Sequence, residues 1–294
     1  MFNHQKIGKR TLSVWAIAGG LAMSLFAAQG DRRPRELAFA SEDYHTLSIG
    51  KYDPRGPRGG WVQGTDFYIP IMSSETYTLY TVHGRLREIP LKSQQRGFPG
   101  ITPADWWAKT DRRPEADLPF ALAVRGSWPE DRGAKDIALD DPDAERIAKD
   151  YLRKRGLNVE APLLTQAFQA DLLGDGRLET LICAHSDLGA LKDDQASDVY
   201  AVALLRYETK GSQKTIALRS QTSHKPASQT IEDHEKYYGK RDFLRFVAFH
   251  DITGDGRLEI VLYSAKDDAT QIDVFTFDGR CARKVLSADK PHYN

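Results

Sequence analysis

Two nine-residue segments carry the residue types best suited to chemistry. Asp171-Leu172-Leu173-Gly174-Asp175-Gly176-Arg177-Leu178-Glu179 and Asp251-Ile252-Thr253-Gly254-Asp255-Gly256-Arg257-Leu258-Glu259 agree at seven of nine positions and lie 80 residues apart. Acidic side chains recur at positions 1, 5 and 9, and glycines at 4 and 6 let the chain turn sharply. A hard cation such as Ca²⁺ takes its oxygens from a tight loop, and carboxylates at this spacing could supply several of them. The same residues also suit metal-free Asx-type turns, in which Asp side chains accept hydrogen bonds from backbone N–H groups.

Other candidate chemistry is sparse. The sequence contains no His-Glu-x-x-His zinc motif, no Gly-x-Ser-x-Gly elbow and no Gly-x-x-x-x-Gly-Lys-Ser/Thr phosphate loop. His224 and His234 share a polar stretch with Glu232, Asp233 and Glu235, which reads as a transition-metal cluster or, more simply, a solvated loop. Trp106-Trp107 could form a platform for a sugar ring or clamp a long loop onto the core. Cys183 and Cys281 are too few for a disulfide framework or a thiolate zinc site; they either pair or are separately buried.

The elements that must hold the acidic segments read as β. Each segment runs straight into an apolar strand, Thr180-Leu181-Ile182-Cys183 or Ile260-Val261-Leu262-Tyr263. The second alternates Leu258, Ile260 and Leu262 with Val261 and Tyr263, apolar on both faces, as in a strand covered from both sides. Further strands are expected at Tyr44–Ile49, Phe67–Met72, Tyr77–Val82, Arg85–Ile89, Phe120–Val124, Val199–Leu205, Lys214–Leu218, Phe243–Phe249, Ile272–Phe277 and Cys281–Leu286. Each acidic segment then belongs to a four-stranded antiparallel meander, the size of a propeller blade. The layout of Val274–Arg280 repeats that of Leu79–Arg85, so residues 61–140 could form a third, degenerate unit. Ser220–Arg241 reads as a long surface loop.

One helix is marked at both ends. Asp141 can cap it, Pro142 suits its first position, Asp143 and Glu145 favour its positive pole, and Gly156 stops it. Ala144, Ile147, Ala148, Tyr151 and Leu152 form one apolar stripe. Lys149, Arg153, Lys154 and Arg155 crowd its last turns as a solvated basic face.

Position 12 of each acidic segment is Ile182 or Leu262, inside a β run, which excludes an EF-hand. An acidic residue at position 9 followed by a strand instead resembles the FG-GAP/VCBS repeats of integrin-α-like β-propellers, over about residues 163–287. The resemblance implies Ca²⁺ held by Asp171, Asp175 and Glu179 in the first loop. In the second it implies Asp251, Thr253, Asp255 and Glu259, with the carbonyls of Arg177 and Arg257 contributing to their own loops. Position 3 departs from the family pattern: Leu173 offers no side-chain oxygen and Thr253 only a hydroxyl, which weakens the first site most.

Apolar and charged fractions of 40% and 28% belong to a globular protein, and 41 basic against 41 acidic residues leave no field directed at nucleic acid. Residues 1–30 carry Lys6, Lys9 and Arg10 before an uncharged stretch from Thr11 to Ala28, the pattern of a signal peptide or an uncleaved membrane anchor. Residues 31–60 read as a linker, 141–156 as the helix and 157–294 as the two repeats. The expectation is a mainly β chain of antiparallel, blade-like four-stranded meanders, partly or irregularly propeller-like, with one amphipathic helix. Its expected role is an exported, non-catalytic binding or structural module at the cell envelope, calcium-stabilised, with a protein or carbohydrate partner. The alternative is an envelope hydrolase acting on polysaccharide.

Overall fold

The computed structural model describes residues 35–40, 45–55, 60–63, 75–94, 107–110, 121–125, 132–186, 197–228, 230, 232, 243–266 and 269–291. The chain divides into two compact units, Met1–Arg33 and Pro34–Asn294, and every described residue belongs to the second. The expected strand at Phe67–Met72 and the N-terminal targeting segment lie outside the described residues. No described helix is long and apolar enough to cross a membrane. The fold is mainly β, with antiparallel pairing throughout the sheets and one helix among the described residues.

Seven strands build the N-terminal sheet: β1 (Arg35–Ala40), β2 (His45–Tyr52), β3 (Trp61–Gln63), β4 (Glu75–Thr81), β5 (Gly84–Gln94), β6 (Trp107–Thr110) and β7 (Ala121–Arg125). Pairing runs β1-β7-β4-β5-β6-β2 and returns to β1, with β3 added on β2. This order is not the sequential meander expected of a third blade-like unit. Residues 31–60 are not a linker either, since β1 and β2 lie within them. Their prolines fall before and after the strands, not inside them, because a proline cannot donate to the ladder. Likewise β6 begins at Trp107, one of the two tryptophans read as clamping a long loop.

The middle sheet contains β8 (Lys135–Asp136), β9 (Leu164–Ala170), β10 (Glu179–His185), β11 (Ser197–Thr209) and β12 (Ser212–Lys225), in the order β12-β11-β10-β9-β8. A two-residue turn at Lys210-Gly211, both with positive φ (51° and 72°), joins the long β11–β12 hairpin. Strand β12 reaches Lys225, so the start of the expected surface loop is strand instead. As the outermost strand of its sheet it carries the polar residues that had suggested a loop. The C-terminal sheet, β13 (Phe243–His250), β14 (Glu259–Lys266), β15 (Ala269–Phe277) and β16 (Ala282–Pro291), is a sequential four-stranded meander.

Between β8 and β9 lies helix α1 (Pro142–Lys154). Asp141 accepts hydrogen bonds from the N–H groups of Asp143 (3.0 Å) and Ala144 (2.9 Å), and Gly156 follows with φ +83°. All five residues of its apolar stripe are buried. Asp141→Ala is expected to cost about 1 kcal/mol in chemical denaturation, because two first-turn donors lose their acceptor.

Side-chain alternation stacks these elements in layers. One face of the middle sheet, with Ala167, Ile182, Val202 and Leu204, packs under α1. The opposite face, with Leu181, Cys183, Ala203 and Leu205, meets Phe246, Phe249, Ile260, Leu262 and Phe275 of the C-terminal sheet. The far face of that sheet, with Val261, Ile272, Val274 and Leu286, meets Leu37, Tyr80, Leu122 and Val124 of the N-terminal sheet. Strand β14 is therefore covered on both faces, as its alternation implied.

Candidate functional site

The two acidic segments form matching corners, one joining β9 to β10 and the other β13 to β14. In each, the residue before Asp at position 1 pairs with Glu at position 9: Ala170 with Glu179, and His250 with Glu259. The glycines at positions 4 and 6 take positive φ: +71° and +83° in the first corner, +75° and +85° in the second. Those conformations are open to glycine at little cost and turn the chain back within a few residues.

The hydrogen bonds repeat as closely as the sequence. Asp171 accepts from the N–H groups of Asp175 and Gly176, both at 3.1 Å. Asp251 accepts from Gly254 (2.6 Å), Asp255 (3.1 Å) and Gly256 (2.9 Å). Asp175 and Asp255 take the N–H of Arg177 (2.9 Å) and Arg257 (3.0 Å). Glu179 folds inward to the N–H of Leu172 (2.9 Å), and Glu259 to those of Ile252 (2.7 Å) and Thr253 (3.3 Å). Every acidic side chain named in the two segments thus braces backbone donors of its own corner.

Burial makes the position-9 carboxyl groups weaker acids than usual. Burial pushes Glu259 from 4.5 up to about 8; the charges of Asp251 and Asp255 add to this, while the two backbone N–H groups oppose it. Glu179 is raised for the same reasons, burial first. A buried carboxylate near two others favours its protonated form.

The corners are not separate. Leu258 donates its N–H to the carbonyl of Leu172 at 2.8 Å. Arg132 donates to Asp171 Oδ2 at 3.0 Å and also to the carbonyl of Gly256, so one guanidinium joins both corners. Nothing in the spacing of the chain marks Arg132, which precedes Asp171 by 39 residues. Position 2 is a plug: Leu172 enters the core between the middle and C-terminal sheets, and Ile252 the core on the far side. At position 3, Leu173 packs against the first of these cores, so the missing oxygen is replaced by apolar contact. Thr253 Oγ1 lies 3.5 Å from Glu259 Oε1.

Asp171, Asp175 and Glu179, like Asp251, Thr253, Asp255 and Glu259, are each brought into one corner, and Arg177 and Arg257 contribute backbone N–H groups. Among the described residues no three acidic, histidine or cysteine side chains are placed to hold one metal ion. As arranged, these carboxylate oxygens accept backbone N–H groups of their own corners.

The remaining candidates do not assemble. His224 pairs with Asp198 at 2.8 Å on the exposed rim of β11–β12, while Asp233, His234 and Glu235 lie outside the described residues. Trp106 lies outside them as well, and Trp107 falls in β6. Both cysteines are free: Cys183 is buried in the core, which raises its thiol pKa, and Cys281 is half-buried in the β15–β16 turn, just before the strand expected to hold it. No protein-family model matches the chain, and no curated protein or solved structure matches it.

Proposed function

We propose that the chain is an exported, non-catalytic binding or structural module whose stacked sheets are tied together by paired, hydrogen-bonded Asp-Gly corners. The observation that carries this reading is that the acidic side chains of both corners are spent on backbone N–H groups. Groups so committed brace a fold; they do not transfer protons to a substrate. A melt in millimolar Ca²⁺ and one with chelator are therefore expected to coincide. The FG-GAP/VCBS likeness supports the same class of module, although its loops hold Ca²⁺ between two strands.

One observation favours a second reading, in which Ca²⁺ binds the second corner. Asp251, Asp255 and Glu259 crowd three carboxyl groups into one turn, and their mutual repulsion helps raise Glu259. A cation would offset that charge, with the Thr253 hydroxyl and the Arg257 carbonyl as further oxygens. This reading expects Ca²⁺ to raise the melting temperature, because a ligand confined to the native state stabilises it, and expects Asp255→Ala to abolish the rise. The hydrolase alternative rests on Trp106 and Trp107; product formation from a polysaccharide, lost on replacing one acidic residue, would establish it.

A further inference from the structure

The two meanders share a register, and one row of it differs in kind. In the C-terminal sheet Phe249, Ile260 and Phe275 pair across three strands and are buried against the middle sheet. The same row of the middle sheet is Gln169, Thr180 and Arg206. It lies on the face that α1 covers further along, over Ala167, Ile182 and Leu204. Directly paired residues share a face. Lys135 of β8 pairs with Gln169 and extends the row to a fourth strand. Position 8 of the corners shows the same contrast: Leu258 is 2% exposed, whereas Leu178 is 56% exposed.

This uncovered row floors a cavity of about 590 Å³ walled by the first turns of α1. That volume lies within the range of small-molecule sites, roughly 300–1,000 Å³. Three acidic and three basic residues line it, and of the acidic ones only Asp143 is paired with a permanent cation. Asp141 caps the helix, Asp143 pairs with Arg146 at 2.7 Å, and Asp136 lies 3.8 Å from His83. Arg206 donates to the neutral Gln213 at 3.3 Å. Among the described residues neither Arg206 nor Lys135 has a carboxylate partner, so the cavity offers unspent positive charge at both ends of its floor. Those ends are three strand spacings apart, roughly 14 Å.

We propose that this groove binds an extended acidic saccharide, with its carboxylates on Arg206 and Lys135 and its hydroxyls on Gln169, Thr180 and Gln213. The site lies on a sheet face, where the ladder already uses the backbone donors and acceptors. Recognition therefore falls to amide, hydroxyl and guanidinium side chains, which suit a hydroxyl-rich ligand better than a peptide backbone. The proposal rests on the reading of the chain as a non-catalytic binding module and names its ligand class.

Calorimetric titration of the full chain with trigalacturonate tests it, with maltotriose and triglutamate as comparison probes. Trigalacturonate is expected to bind and to weaken with salt. Arg206→Gln is expected to lose about tenfold in affinity, the size of one charged hydrogen bond, and Lys135→Gln to lose several-fold. Both variants should melt with the parent. Maltotriose and triglutamate are expected to bind at least about tenfold more weakly. Absence of trigalacturonate binding, or binding unchanged in Arg206→Gln, overturns the groove and leaves the module reading intact. Tighter binding of triglutamate overturns the saccharide in favour of an acidic peptide. Shortened saccharide recovered after titration overturns the non-catalytic reading but not the groove.

Discussion

Gly174→Ala is expected to destabilise the protein by about 3 kcal/mol, whereas Gly176→Ala costs about 1 kcal/mol. Both glycines have positive φ, so each alanine bears the same left-handed backbone strain. They differ in what a methyl group would meet. At Gly176 nothing lies within 4 Å, but at Gly174 the new Cβ would sit 2.7 Å from the carbonyl oxygen of Gly256 and 2.7 Å from Arg132 Nη1. Arg132 can move aside; the backbone of the second corner cannot move without parting Leu258 from Leu172. The gap corresponds to roughly 4–8 °C in melting temperature at about 2–4 °C per kcal/mol. Adding Arg132→Ala should not restore Gly174→Ala, because the carbonyl remains. Equal melting of the two alanine variants would mean that the corners are not in contact.

A second large effect is expected from pH. Glu259 has a folded-state pKa of about 8 against 4.5 for the free group. Between those values the folded state holds a proton that the unfolded chain has released, so stability declines as pH rises. The contribution is complete below about pH 4.5 and lost by about pH 8. At about 1.4 kcal/mol per unit, the total is on the order of a few kcal/mol. Glu259→Gln keeps the acceptor for Ile252 and Thr253 but cannot ionise. It should match the parent near pH 5 and exceed it at pH 8.5, measured by urea unfolding with chelator present. Glu179 leaves a residual slope of the same sign in both proteins. Parallel profiles would show that Glu259 is not held as an acid. A parent that gains stability with pH when Ca²⁺ replaces the chelator would instead favour the metal reading, because a bound cation stabilises the carboxylate.

The two corners and their strands were legible because their signals are local. Glycines at positions 4 and 6 meet a backbone requirement set within nine residues, and Leu258–Tyr263 alternates whatever covers it. Helix α1 was legible at both ends for the same reason, since Asp141 caps donors two and three residues away. The N-terminal sheet was not. In β1 and β6 the strands are short and lie among prolines, and they form because distant strands supply their partners. The start of the expected surface loop, Ser220–Lys225, failed similarly: the outer face of an edge strand has the composition of a loop. Leu173 looked like a lost ligand in the chain but proved to be a core contact in the fold.

By itself the sequence determined that the protein is mainly β, that two acidic corners feed two repeated strands, and that one strand is apolar on both sides. These follow from the chain's own periodicity and from conformations that few residues can adopt. Only the tertiary structure decided that the corners abut, that Arg132 joins them, and that identical leucines at position 8 have opposite fates. Those outcomes depend on which sheet lies against which face. Leu258 meets the middle sheet, and no further sheet among the described residues meets Leu178, so the same residue is core in one corner and groove wall in the other.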